Sequence, residues 1–375
     1  MKLIDRYIAR QYLTNILALL AILFSFVVTI DASINIDEFW EAAGEPTADG
    51  EEPGLVRRVT LTALWIAHLW WPRLLQLFNM MLGIVLVGAM GFTCVQLVRH
   101  RETVAVLASG LSLRRVAAPI LGVSLFMVGL AAVNQEAVLP RVAKLLTREH
   151  RDLGTREATA GPIPLATGNQ GQLLIYAARF DADRAVLEDA LFIQRDPAGP
   201  GTLHITTELA TWDTTALAWT AESASVEDLI SPENSSAGEP VSIETDLDPT
   251  ALTVLQYAGF SQNLSFRQIG RLLNQTRGGD ANVRERLQRN RFGRIAMALS
   301  NLLIIVIALP FFLTRMPGNS LTGSLRGAPV AVACIIGATL GTSAPVPGVP
   351  AVVSVFLPVL VLAPLAIAVA ISPKT

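Results

Sequence analysis

Six stretches of this chain are nearly free of charge and long enough to cross a membrane: 11–30, 74–98, 116–138, 295–314, 327–344 and 351–371. A helix spans about 30 Å of hydrocarbon with about 20 predominantly apolar residues. The fifth stretch is short, and the third carries Asn134, Gln135 and Glu136 at its exit, yet all six are expected to be spans. Composition agrees: 16% of the 375 residues are charged, against about 25% in soluble domains. Mean hydropathy is +0.47. A net charge of −2 gives no basis for nucleic-acid binding. Cys94 and Cys334 fall in separate apolar runs, where a thiol acts as a small hydrophobe, so neither a disulfide framework nor a metal site is expected.

Lys2, Arg6 and Arg10 would suit the basic n-region of a signal peptide. The run that follows is longer than a typical h-region and no A-x-A site closes it, so it is expected to remain as span one. Lys and Arg accumulate in short cytoplasmic loops. Those three residues, then Arg99, Arg101, Arg114 and Arg115 after span two, Arg315 and Arg326 after span four, and Lys374 all share one side if the N-terminus is inside. The loop after span one is acidic, with Asp37, Glu38, Glu41, Glu45, Asp49, Glu51 and Glu52. Both termini are therefore expected in the cytoplasm.

Between spans three and four lies an extracytoplasmic insert, 140–294. Its segments "GQLLIYAARF", "LEDALFIQRD", "GTLHITTELA" and "TALAWTAESA" are rich in β-branched and aromatic residues. Leu203 and Ile205 flank His204, and Leu217 and Trp219 flank Ala218, the period of a half-buried strand. Turn material ("DADR", "DPAGPG", "SPENSSAGEP") separates them, and such spacing predicts an antiparallel sandwich or jelly roll. The fold class is thus a six-helix membrane protein, three plus three, with membrane halves 1–139 and 295–375 around an all-β, jelly-roll-like domain. No P-loop, H-E-x-x-H or G-x-S-x-G motif occurs, so no ATP or hydrolase chemistry is visible in the chain itself. Any energy for uphill movement must come from a partner.

The stretch "RETVAVLASGLSLRR" between spans two and three resembles the cytoplasmic coupling helix of the LptF/LptG family, the permeases of the lipopolysaccharide export ABC transporter. "DRYIARQYL" before span one, "NQEAVLPRV" closing span three, "YAARFDADRAVLEDALFIQRD", "ITTELATWDTTALAWTAES" and "TDLDPTAL" in the insert, and "RFGRIAMALSNLLIIVIALPF" at span four are similar to that family in the same order. The resemblance implies an inner-membrane subunit with no cofactor of its own. It also implies a dimer of a cytoplasmic ATPase using ATP and Mg, a second permease of the family and a periplasmic jelly-roll bridge protein. Lipopolysaccharide would be the cargo. Six helices are too few to surround a molecule with several acyl chains, which also calls for a second permease. The rival is a membrane-anchored sensor or scaffold whose β-domain binds a ligand; a membrane hydrolase comes third.

Within the coupling stretch, expected over about 100–110, Val104, Leu107, Ala108 and Leu111 fall on one helical face. Glu102 in the first turn suits the helix dipole, Gly110 fits a left-handed helix end, and Ser112 can cap the next helix. Docking on the ATPase would use Glu102, Arg101, Leu107 and Gly110; the alternative is a solvated positive-inside loop. On the outer side, Arg141, Lys144 and Arg148 share a helical face, and Arg284, Arg286, Arg289, Arg291 and Arg294 precede span four. Arg141, Lys144, Arg148, Arg291 and Arg294 are candidate contacts for lipid phosphates, against ordinary snorkelling to headgroups. Gly337 and Gly341 form a G-x-x-x-G in span five that permits close helix approach. It serves packing within the chain or, as the resemblance implies, a gate between two permeases.

Overall fold

The computed structural model describes residues 3–44, 54–110, 112–146, 161–169, 172–181, 184–195, 202–228, 236–249, 251–252, 261–275, 281–312, 320–344 and 346–371. It divides into two compact units, one of Met1–Leu146, Ser265–Gly270 and Glu285–Thr375, the other of Thr147–Leu264 and Arg271–Arg284. Ahead of the sheet come α1 (Leu3–Ile34), α2 (Ile36–Ala42), α3 (Leu55–Arg99), α4 (Glu102–Ala108), α5 (Leu113–Val133) and α6 (Leu139–Leu146). After it come α7 (Phe266–Gln275), α8 (Ala281–Phe312), α9 (Ser320–Ser343) and α10 (Ala351–Ile371). Among the described residues five helices are long and apolar enough to cross a membrane: α1, α3, the run Arg115–Val142, α8 and α10. The Gly327–Ser343 part of α9 is apolar but shorter.

The span expected at 74–98 is only the second half of α3, whose 45 residues measure about 67 Å at 1.5 Å per residue. Pro72 lies buried inside this helix and does not end it, because packed neighbours can absorb a missing N–H. A π-helical turn, Asn134–Val138, joins α5 to α6. Its bonds across the bundle run to α3: Asn134 Nδ2 donates to the Leu75 carbonyl at 2.8 Å, and Asn79 Nδ2 donates to Gln135 Oε1 at 2.8 Å.

In the helical unit Ile8, Tyr12, Ile16 and Leu20 of α1 pack with Leu86 and Met90 of α3, Ile120 of α5 and Ile304, Ile307 and Ala308 of α8. Lipid is as apolar as leucine, so helices there associate through close packing and interhelical hydrogen bonds. Both devices are present. A Cβ on Gly83 would stand 2.5 Å from Asn301 Oδ1 and one on Gly91 3.1 Å from the Phe312 ring. The buried Tyr12 hydroxyl donates to the Leu86 carbonyl at 3.0 Å and lies 3.0 Å from Ser124 Oγ.

In the second unit the strands β1 (Gly161–Gly168), β2 (Leu173–Asp181), β3 (Val186–Arg195), β4 (Thr202–Asp213), β5 (Ala218–Asp228) and β6 (Ser236–Glu244) form one antiparallel sheet in sequential order. β6 occupies part of the segment 231–240 that reads as turn material in the sequence. Ile175, Ala177, Phe180, Phe192, Ile205 and Trp219 belong to one buried core. Trp219 donates its Nε1–H to the Leu247 carbonyl at 3.0 Å. The outer strands β1 and β6 meet at one end: Asn169 N donates to Asp246 Oδ1 at 2.8 Å, and Asp246 N donates to Asn169 Oδ1 at 3.1 Å. In the β4–β5 turn Asp213 Oδ1 accepts from the Thr215 and Ala216 amides, which hold its carboxyl below the usual range.

Candidate coupling site

At the end of α3, His100 N donates to the Gln96 carbonyl at 2.9 Å and Arg101 N to the Val98 carbonyl at 3.0 Å. Arg101 then takes φ +58, a left-handed conformation costing a non-glycine residue about 1–2 kcal/mol. This reversal lets α4 begin at Glu102, two residues after α3 ends. Nine residues after Arg101 the chain reverses again through Gly110, at φ +76. A Cβ there would meet nothing within 4 Å, so this position restricts the backbone and not the space. Ser112 holds the N-cap position of α5 without a side-chain capping bond.

α1 grips this loop near both ends. Tyr7 Oη donates to Glu102 Oε1 at 2.9 Å, and Asp5 Oδ1 lies 3.6 Å from Arg115 Nε in the first turn of α5. Along α1, Tyr7, Gln11 and Asn15 recur every four residues and so share a face. Gln11 Nε2 donates to Gln96 Oε1 at 2.9 Å, and Asn15 Nδ2 to Thr93 Oγ1 at 2.8 Å and Gln96 Oε1 at 3.2 Å. A second stripe, Asp5, Ala9 and Leu13, faces Arg115, Ala118, Pro119 and Gly122 of α5 across a groove of about 760 Å³. The third, Ile8, Tyr12, Ile16 and Leu20, is the buried face. Polar interhelical pairs of this kind contribute roughly 0.6–2 kcal/mol each in a membrane.

Of the expected coupling residues, Arg101, Glu102 and Gly110 therefore mark the ends of an exposed helix of about two turns, with Val104 50% exposed. The Leu107 side chain and Leu111 lie outside the described residues. Tyr7, Gln11 and Asn15 were not singled out in the sequence, although their four-residue spacing running into the first span is a signal that could have found them.

The outer basic residues are placed differently. Arg294 Nη1 bonds Glu136 Oε1 at 3.2 Å, and the other carboxylate oxygen accepts the Phe266 amide at 2.8 Å. That amide opens α7, whose start is a capping box: Ser265 N donates to Gln268 Oε1 at 2.7 Å and Gln268 N to Ser265 Oγ at 3.2 Å. The Arg291 guanidinium sits 4.0 Å over the Phe266 ring. Arg289, 8% exposed, bonds the Ala344 carbonyl past the end of α9 and Glu285 at 2.7 Å. Arg284 and Arg286 are exposed. Arg141 donates to the Ala137 carbonyl at 2.6 Å; the Lys144 side chain and Arg148 lie outside the described residues.

Two further acidic residues near the ends of apolar stretches, Asp31 and Glu136, both have protein partners: Asp31 Oδ2 accepts the Trp70 Nε1–H at 2.8 Å. The two glycines of span five part company. A Cβ on Gly341 would collide with Pro358 of α10, whereas one on Gly337 would meet nothing within 4 Å. Among the described residues no group of three or more His, Cys, Asp or Glu could hold a metal.

No curated protein matches the chain. A family model described as "Lipopolysaccharide export system permease LptF/LptG" matches residues 59–372, from inside α3 to just beyond α10. That match takes in α4 with its two left-handed ends, the six-stranded insert and the helices that follow, and by it the chain belongs to the LptF/LptG family of lipopolysaccharide export permeases.

Proposed function

We propose that this chain is the permease subunit of an ABC transporter that extracts lipopolysaccharide from the inner membrane and passes it to a periplasmic bridge protein of jelly-roll fold. A dimer of a separate cytoplasmic ATPase supplies the energy, using ATP and Mg, and a second permease of the family completes the cavity. Both termini and α4 face the cytoplasm, and the β-domain is periplasmic. The observation that carries this reading is α4 itself. It is a short helix between two left-handed residues, with a carboxylate at its first position and an exposed side facing away from the bundle. Closure of the ATPase dimer on ATP would push α4, move the helices tied to it and squeeze lipid from between the two permeases.

The test is recovery of the ATPase with permease extracted from membranes. In this reading Glu102 pairs with a basic group on the ATPase, which Glu102→Lys would repel; losing one partner of a desolvated charge pair costs on the order of 2–5 kcal/mol, so recovery should fall at least tenfold. Glu102→Gln keeps the shape and should fall less. Full recovery with Glu102→Lys would favour an anchored sensor or scaffold over a transporter.

A further inference from the structure

Docking at α4 moves lipid only if the displacement reaches helices that α4 does not join covalently. α4 follows α3 after two residues and precedes α5 after four, so the chain itself carries a push to those helices. α1 has no such connection: Tyr7 and Glu102 are 95 residues apart. Resting on the proposal that α4 receives the ATPase, we propose that Tyr7, Gln11 and Asn15 are the linkage through which displacement of α4 is delivered to α1.

Three features of the geometry support it. First, Tyr7 Oη bonds Glu102 Oε1. A carboxylate has about four lone-pair sites on two oxygens, so Oε2 can take a cationic partner while the Tyr7 bond persists. Docking and linkage do not compete for the same atom. Second, Gln96 is held twice over. Its side-chain oxygen accepts from both Gln11 and Asn15 of α1, while its backbone oxygen accepts His100 N at the turn that launches α4. The last turn of α3 and the first turn of α4 are thereby fastened to one face of α1. Third, these amides are part-buried between α1 and α3, where pulling a bonded pair apart leaves polar groups unmatched at a cost. The cheapest way for the joint to respond to a push is to move as a body. Motion delivered to the Tyr7 face then acts across α1 on the opposite stripe, Asp5, Ala9 and Leu13, which lines the groove with α5.

The experiment uses the assembled transporter, purified and reconstituted with lipopolysaccharide. Two quantities are measured: the ATPase recovered with the permease, and the lipid released to an acceptor per ATP hydrolysed. Tyr7→Phe removes only the hydroxyl. The double replacement Gln11→Leu with Gln96→Leu removes both partners of one bond together, which leaves no orphaned amide between them. Either change should leave ATPase recovery within twofold of wild type and lower lipid released per ATP at least fivefold. Unchanged lipid per ATP in both, alongside lost recovery in Glu102→Lys, would refute the linkage while leaving α4 as the docking site. Lost recovery in Tyr7→Phe would also refute it, since Tyr7 would then serve docking itself. Full recovery in Glu102→Lys would remove the docking proposal, and the linkage with it.

Discussion

The loop around α4 and the arginine group at the start of α8 both place basic residues at the end of an apolar helix, but they use charge in opposite ways. At α8 three guanidinium groups are committed inside the fold: Arg289 to the Ala344 carbonyl and Glu285, Arg291 to the Phe266 ring, Arg294 to Glu136. At α4 the carboxylate of Glu102 has one bond to Tyr7 and sits on an exposed helix whose ends are fixed by backbone geometry. The first arrangement anchors the helices that follow the β-domain; the second presents a charge from a fixed mount. Charge position along a chain gives the side of a membrane, and burial with bonding decides which charges stay free to meet a partner.

The largest expected effect is at Arg289. Replacing it with Ala leaves a helix-end carbonyl and Glu285 without their donor. Hydrogen bonds to charged groups contribute about 1.5–3 kcal/mol each, so thermal unfolding in detergent should show a loss of about 3 kcal/mol. The exposed Arg286→Ala should stay within about 0.5 kcal/mol. Equal losses would erase the distinction between anchoring and free arginines. Arg294→Ala should fall between them, at about 1–2 kcal/mol, because Glu136 is 42% exposed and its charge is partly screened.

At the other region, Gly110→Val should cost about 1–2 kcal/mol through positive φ alone and reduce ATPase recovery. Gly110→Asn, which tolerates the left-handed region, should be near wild type. If Val and Asn behave alike, backbone geometry does not hold α4. Smallest of all, Arg101→Gly relieves a left-handed residue and should change stability by less than about 1 kcal/mol. Any loss of ATPase recovery there reports the guanidinium and not the fold.

The proposed orientation puts α4 in the cytoplasm and the β-domain outside, and labelling tests it. A cysteine at Ser109 should resist an impermeant thiol reagent applied to intact cells, and one at Ala216 in the β4–β5 turn should react. Reaction at Ser109 would reverse the assignment.

Much of this was legible before the structure. Apolar runs of about 20 residues located five long helices and a shorter apolar one, alternation at Leu203–Ile205 located β4, and Gly110 marked a left-handed helix end, whereas Leu217 lies in the β4–β5 turn at φ +50 and not in the strand that holds Trp219. These signals are local. What the sequence did not display depends on distant partners. α3 continues back to Leu55 through a buried Pro72. The π-turn at Asn134–Val138 depends on the Leu75 carbonyl and Asn79 across the bundle. Glu136 finds Arg294 at a separation of 158 residues, which no spacing rule connects. Arg291 and Arg294, attractive as phosphate contacts by type and position, already have aromatic and acidic neighbours, so a lipid phosphate would have to share them.

The central claim, that α4 is where a cytoplasmic ATPase meets this permease, is tested most directly by a photo-crosslinking residue at Val104, exposed on α4 beside Glu102. In native membranes it should form an adduct with the ATPase that Glu102→Lys abolishes, while the same probe at Tyr176 on the sheet should form none with that protein. Absence of an ATPase adduct at Val104, with the permease intact and the ATPase present, would contradict the account.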